Sequence, residues 1–215
     1  VTSAQQNVGL GNGTRGIFTQ GYNDAGNSTN VIEYVTIASA GDGTDFGDLT
    51  VARNFNSACA SPTRGVIIGG DVTGGGSPTA NIMDYITIGS TGNATDFGDT
   101  LSQSYGTASC SSSTRGITAG GSSATGDGKS NVIQYITIAS AGNSTDFGDL
   151  TNTLSRGGAG CSETRALIAG EYSGNTNGID YITIASTGNG TDFGDLTNNE
   201  TNGLSCASSA HGGLS

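Results

Sequence analysis

The chain has no tryptophan, two prolines, one methionine and one histidine in 215 residues. So few prolines exclude a collagen-like chain and a polyproline linker. A single histidine, His211, cannot supply a Ser-His-Asp or Cys-His constellation on the strength of its neighbours. Basic residues are scarce: Lys and Arg total 7 against 18 Asp and Glu, for a formal net charge of −11. Such a polyanion is repelled by nucleic-acid phosphates and by anionic membrane surfaces. No apolar run reaches the ~18 residues a membrane helix needs, and no long apolar stripe of helical period exists. The glycine-rich stretch 69–76 lacks the Lys-Ser/Thr of a phosphate loop. The four cysteines, Cys59, Cys110, Cys161 and Cys206, stand far apart. They offer neither a C-x-x-C zinc pattern nor the irregular spacing of a disulfide framework.

Glycine is abundant, at 38 of 215 residues, against a usual ~7%. More telling is a fourfold repetition. Thr-Asp-Phe-Gly-Asp occurs at 44–48, 95–99, 145–149 and 191–195. A Tyr-Ile/Val-Thr-Ile run starts at Tyr34, Tyr85, Tyr135 and Tyr181, and Thr-Arg-Gly/Ala carries Arg15, Arg64, Arg115 and Arg165. Tyrosine to the first Asp of the marker is 11 residues in every copy, and that Asp to the next Arg is 19. His211 falls where a fifth Arg would stand. Only the Arg-to-Tyr interval varies, at 19, 21, 20 and 16. Each cysteine lies four or five residues before an Arg or His position, which marks it as a small packed residue with a free thiol.

Short β-rich runs bounded by Gly, Asn and Asp recur through each unit. One follows Arg (16–20, 65–68, 116–119, 166–169). A second contains Tyr and is apolar almost throughout (31–37, 82–88, 132–138, 179–184), as a strand covered on both faces should be. A third surrounds Phe46, Phe97, Phe147 and Phe193. A fourth, of small residues suited to a crowded axis, spans 57–60, 108–111, 159–162 and 205–208. Four short antiparallel strands per ~50 residues make a propeller blade. The fold expected is therefore all-β, a propeller of four ~50-residue blades, or a portion of a larger ring or array. The units run at about 14–62, 63–113, 114–163 and 164–210, with segments 1–13 and 198–215 occupying one repeat phase. Phe of each marker is expected to plug the gap between blades beside the Tyr.

The stretch Arg53…Ala58-Cys59-Ala60…Arg64-Gly65-Val66-Ile67-Ile68-Gly69-Gly70…Tyr85…Phe97 resembles a kelch repeat, with Phe where that family has Trp. More narrowly, Tyr-Ile-Thr-Ile-Ala-Ser-Thr-Gly-Asn-x-Thr-Asp-Phe-Gly-Asp-Leu-Thr resembles the repeat of kelch-like structural and tail-fibre proteins of marine bacteriophages. The resemblance implies a non-enzymatic structural or adhesion module of a virion appendage, located extracellularly or on the virion surface. Its partners would be other virion or filament subunits and a cell-surface glycan or protein receptor, without nucleic acid or membrane insertion.

Loops that vary on a fixed scaffold are where repeat proteins place binding. The contact face is accordingly expected in segments 22–29, 71–80, 122–130 and 172–177, with Tyr22, Asp71, Lys129, Glu171 and Tyr172 as its most distinctive residues. The repeated arginines read as structural forks toward carboxylates or carbonyls of an adjacent turn, with an anion-binding ring as the rival reading. The carboxylate pairs Asp45/Asp48, Asp96/Asp99, Asp146/Asp149 and Asp192/Asp195 read as Asx turns, with Ca²⁺ the only cofactor to consider there. Asn-x-Ser/Thr sequons stand at Asn12, Asn27, Asn93, Asn143, Asn189 and Asn199. They are turn residues unless the chain is glycosylated. A lectin-like propeller with one site per blade and a subunit of an extracellular filament remain as rivals. A hydrolase would need a unique acid–base set, and none is visible.

Overall fold

A computed structural model describes residues 8–23, 25–72, 80–123, 128–170, 176–198, 204 and 206. The described residues form sixteen strands and no helix. They make four antiparallel four-stranded sheets arranged as a four-bladed β-propeller. Blade 1 comprises β1 (Val8–Gly11), β2 (Arg15–Thr19), β3 (Val31–Thr36) and β4 (Thr44–Asp48). Blade 2 comprises β5 (Ser57–Ala60), β6 (Arg64–Ile68), β7 (Ile82–Thr87) and β8 (Thr95–Asp99). Blade 3 comprises β9 (Ala108–Ser111), β10 (Arg115–Ala119), β11 (Ser130–Thr137) and β12 (Thr145–Leu154). Blade 4 comprises β13 (Gly158–Cys161), β14 (Arg165–Ala169), β15 (Gly178–Thr183) and β16 (Thr191–Asp195).

The expected strands form in each repeat except the run at 205–208, which apart from Cys206 lies outside the described residues, and the blades are phased one strand earlier than the sequence units. The small-residue strand β5 closes the first unit along the chain, yet it pairs with β6, Cys59 opposite Val66. Each of the first three units thus hands its last strand to the next blade as the innermost one, and Val8–Gly11 does this for blade 1. The physical reason is hairpin length: only the short turn at 61–63 separates β5 from β6, whereas the connection from β4 back to the axis is longer. Short connections pair sequential strands.

The β-branched strands β3, β7, β11 and β15 sit third in each sheet, with neighbours on both edges. Their apolar residues feed three clusters, one per junction between consecutive blades. Ile17, Ile32 and Phe46 of blade 1 meet Ile67, Ile86 and Ile88 of blade 2. Val66, Met83 and Phe97 meet Ile136 and Ile138. Ile117, Ile133 and Phe147 meet Ile168, Ile182 and Ile184. A single four-stranded sheet cannot cover its own faces, so burial belongs to the junction and not to the blade.

Candidate functional site

The repeated marker is a β-bulge. In blade 1, Ile32 faces Gly47 and Glu33 faces Asp45, which leaves Phe46 unpaired between them; blades 2, 3 and 4 repeat the shift. A bulge re-aims the extra side chain, and here the phenyl ring meets its own blade's tyrosine edge-on. The Tyr34–Phe46, Tyr85–Phe97, Tyr135–Phe147 and Tyr181–Phe193 centroids lie 6.0, 6.1, 6.0 and 6.2 Å apart. Each tyrosine ring also carries the repeat arginine over its face. Arg15, Arg64, Arg115 and Arg165 stand 4.6, 4.4, 4.3 and 4.6 Å from the rings. Each of the first three then donates to a carbonyl of the following blade: Ile88 O at 2.9 Å, Ile138 O at 3.0 Å and Ile184 O at 2.7 Å. The guanidinium groups of Arg15, Arg64 and Arg115 are thus committed to tyrosine and carbonyl, and that of Arg165 to tyrosine.

The asparagines of the Gly-Asn turns lock the same junctions. Asn93, Asn143 and Asn189 Oδ1 accept from the backbone N–H of Asp48, Asp99 and Asp149 of the preceding blade. Asp192 Oδ1 accepts from Gly194 N–H at 3.1 Å, an Asx turn. Among the described residues no group of three or more His, Cys, Asp or Glu is placed to hold a metal ion.

The opposite rim carries the variation. Val8 pairs with Thr19, Ser57 with Ile68, Ala108 with Ala119 and Gly158 with Ala169. The loops of changing length between second and third strands therefore lie at the end where the inner strands begin. Tyr22 bridges Ser28 there, and Ser122 bridges Lys129. Tyr22 is half-buried, and burial together with the nearby Asp71 carboxylate raises its phenol pKa against a hydrogen bond with Asn54. Asp71 was expected on the contact face, but it is only 1% exposed and pairs through its backbone with Asn54. It ties the loop down. Lys129 is half-buried. Glu171 and Tyr172 lie outside the described residues, as do Asn199 and His211.

Sequence reading missed the centre of this rim. A cavity of about 690 Å³ occupies the axis where the inner strands start. Its wall includes Phe55, Asn56, Ser57, Thr107, Ser109 and Arg156. Phe55 and Arg156 are the only two non-glycine residues with positive φ among those described, at 51° and 56°. Each stands two residues before an inner strand, where blade 3 has Gly106 at 63°. Glycine takes this conformation freely, whereas a side chain there carries strain of roughly 1–3 kcal/mol. The strain holds the Arg156 guanidinium 4.7 Å over the Phe55 ring, and Tyr105 lies 5.6 Å from Phe55. Behind them, Ser57, Thr107, Ser109 and Thr118 form a hydroxyl chain. Asn56, buried, accepts from Thr19 through Oδ1 and leaves Nδ2 without a hydrogen-bond partner in the cavity wall. Asparagine or glycine was the residue to expect at a left-handed position, so a Phe and an Arg in that register were the only available signal. It becomes visible only once the phase of the inner strands is known.

Cys59, Cys110 and Cys161 are buried free thiols, as the repeat phase suggested, but Cys206 is exposed. Burial, with Cys161 nearby, pushes the Cys59 thiol up to about 12. A hydrogen bond with Cys161, then burial, holds Cys110 well above the usual range. The folded state therefore keeps these thiols neutral. That contribution is complete below the unfolded thiol value of ~8.5 and is lost as pH rises toward the folded value. Two results are expected. Native protein treated with a thiol reagent at neutral pH labels at Cys206 alone, the others reacting only on unfolding, as peptide mass mapping will show. Denaturation midpoints fall progressively above about pH 8.5.

Fold and site together define a four-bladed β-propeller with inter-blade locks at one rim, and loops of variable length and the mouth of an axial cavity at the other. No protein-family model matches the chain, and no curated protein matches it.

Proposed function

We propose that this propeller is a structural and adhesion module, a component of a bacteriophage virion appendage that meets the host surface through its variable rim. The observation that carries the reading is the division of labour between the two rims. The fixed-length motifs supply the hydrogen bonds between blades, and the loops of variable length begin and end at the opposite rim, where the axial cavity opens. The appendage assignment rests on the resemblance of the Tyr-Ile-Thr-Ile…Thr-Asp-Phe-Gly-Asp repeat to phage structural proteins. A chain of net charge −11 favours neutral glycans or basic protein surfaces over phosphate-rich ones. The stacked Phe55–Arg156 pair supports one axial contact point instead of the one-site-per-blade arrangement of a lectin. Aromatic faces with adjacent hydroxyls and amides suit sugar rings and extended polar chains.

Phe55→Gly and Arg156→Gly test this cleanly. Glycine relieves the left-handed strain, so unfolding stability should hold or rise by up to about 1 kcal/mol. Binding of the labelled protein to intact bacterial cells, and to a glycan array, should weaken at least tenfold for each variant. Cell binding that is unchanged by both substitutions, or absent for the unaltered protein, would exclude the axial rim as the contact face.

A further inference from the structure

Two buried cysteines meet across the junction of blades 3 and 4. In β9, Cys110 lies opposite Ile117 and Ser111 opposite Gly116. In β13, Cys161 lies opposite Ala166, so its register is that of Ser111 and not that of Cys110. Successive residues of a strand point to opposite faces. Leu10 and Cys59, at the register of Cys110, point forward: a Cβ on Gly65 or Gly116 of the following blade would meet them. Ser111, at the register of Cys161, points back, and its hydroxyl donates to Ala60 O of the preceding blade at 2.8 Å. The one-residue shift thus turns Cys161 toward blade 3 while Cys110 faces blade 4. Cys161 Sγ–H donates to Ser111 O, the carbonyl next to Cys110 in the chain, at 3.0 Å, and the two thiols share a hydrogen bond. Both belong to the apolar cluster of this junction. The other two junctions lack the pair: Cys59 and Ser111 hold these registers between blades 2 and 3, and Leu10 and Ala60 between blades 1 and 2.

We infer that Cys110 and Cys161 are a cross-linking site, joined as a disulfide that staples blade 3 to blade 4 when the chain folds in the presence of a small disulfide oxidant such as oxidised glutathione. Each thiol gives up its hydrogen and one S–S bond forms between the two blades. The S–S bond of the oxidant breaks, and it takes up the two electrons and two protons as two thiols. Sulfurs already in contact need to close only to the ~2.05 Å of the bond. Exchange requires a thiolate, which the closed junction disfavours, so the bond forms while the blades come together or when they open locally. The two inner strands belong to different sheets, and the cross-link would tie positions 110 and 161 across a long loop of the unfolded chain. Such a loop loses much of its freedom when closed, which favours the folded state. Cys59 is not the partner, since its sulfur packs against Gly116 and it belongs to the cluster of blades 2 and 3. The staple stands whatever the variable rim binds.

The test uses the full chain carrying Cys206→Ser, which removes the exposed thiol. It is unfolded in urea and refolded in a buffer of reduced and oxidised glutathione, then alkylated in denaturant. Cleavage after Lys and Arg separates the remaining cysteines: Cys59 falls in 54–64, Cys110 in 65–115 and Cys161 in 157–165. Peptide mass mapping should show 65–115 joined to 157–165, two hydrogens lighter than the separate peptides, with Cys59 alkylated. The urea-unfolding equilibrium constant of the oxidised chain should be at least about thirtyfold smaller than that of the reduced chain. Cys161→Ser supplies the hydroxyl that Ser111 has at the same register, so it should fold and show no difference between the two conditions. The same mapping on never-unfolded protein held for days in the glutathione buffer, where junctions open by local unfolding, does not depend on refolding. Recovery of both cysteines alkylated, a glutathione adduct on either in place of the cross-link, or a cross-linked chain no more stable than the reduced one would overturn the inference.

Discussion

Gly98→Ala is expected to destabilise the protein by about 2–6 kcal/mol, as the same change at its counterparts Gly47 and Gly148 should. Two terms add. Gly98 lies at φ 136°, a region that non-glycine residues enter at roughly 1–3 kcal/mol. A Cβ there would also stand 2.6 Å from the carbonyl carbon and oxygen of Gly142 in the next blade. Backbone cannot turn aside as a side chain can, so the blades must separate or the turn must shift, with overpacking costs of about 1–3 kcal/mol. Gly194 provides the internal control. Its φ is 141°, the same conformation, but nothing lies within 4 Å of the added Cβ. Gly194→Ala should therefore show only the backbone term. Both are best measured by urea unfolding of the otherwise unaltered chain. Equal losses at the two sites would show that the bulge-to-turn approach contributes nothing.

The second large effect is expected at Arg53. Its side chain and that of Asp84 are both fully buried, and Arg53 Nη1 donates to Asp84 Oδ2 at 2.8 Å. Asp84 also accepts from Thr50 N–H and Thr50 Oγ1, at 3.1 and 2.6 Å, and Arg53 Nη2 reaches Ile67 O at 3.3 Å. Burial lowers the pKa of the guanidinium and the carboxylate opposes that shift. Arg53→Met removes the cation and leaves a carboxylate in the interior, a loss of about 3–5 kcal/mol. Adding Asp84→Asn removes the stranded charge while keeping an acceptor for Thr50. The double variant should therefore recover a substantial part of the loss, and a double-mutant cycle on unfolding free energy will show it. A double variant no better than Arg53→Met alone would mean that the pair acts through shape and not through charge. Blade 4 keeps the acceptor half of this arrangement without the cation: Asp180 accepts from Thr151 N–H and Thr151 Oγ1, both at 2.7 Å. Carboxylate and threonine are thus the shared latch, and Arg53 is specific to blade 2.

Much of this was legible along the chain because the repeats are close copies. Equal Tyr-to-Asp and Asp-to-Arg intervals announced equivalent units, and β-branched runs between glycine turns announced strands. The phase of the blades was not legible, since β5 is adjacent in sequence to both units and only hairpin closure with β6 decides its sheet. Asp71 looked like a contact residue because it heads a variable loop. Pairing with the Asn54 connection buries it instead. Phe55 and Arg156 lie in stretches with no repeat signature, and their importance comes from a backbone conformation that residue type argues against.

The amino-acid order by itself determined the architecture of the unit: its four strands, the bulge at Phe-Gly, the tyrosine–arginine stack and the rim that varies. These depend on interactions within roughly one repeat, where spacing dictates what can meet. Tertiary structure alone decided which strand belongs to which blade, which charges are buried, and that the strained Phe55 and Arg156 converge on the axis. Apart from the β5–β6 hairpin, those outcomes depend on contacts between elements that the chain brings together from different parts of the repeat array, and burial there is a property of neighbouring blades that no local pattern records.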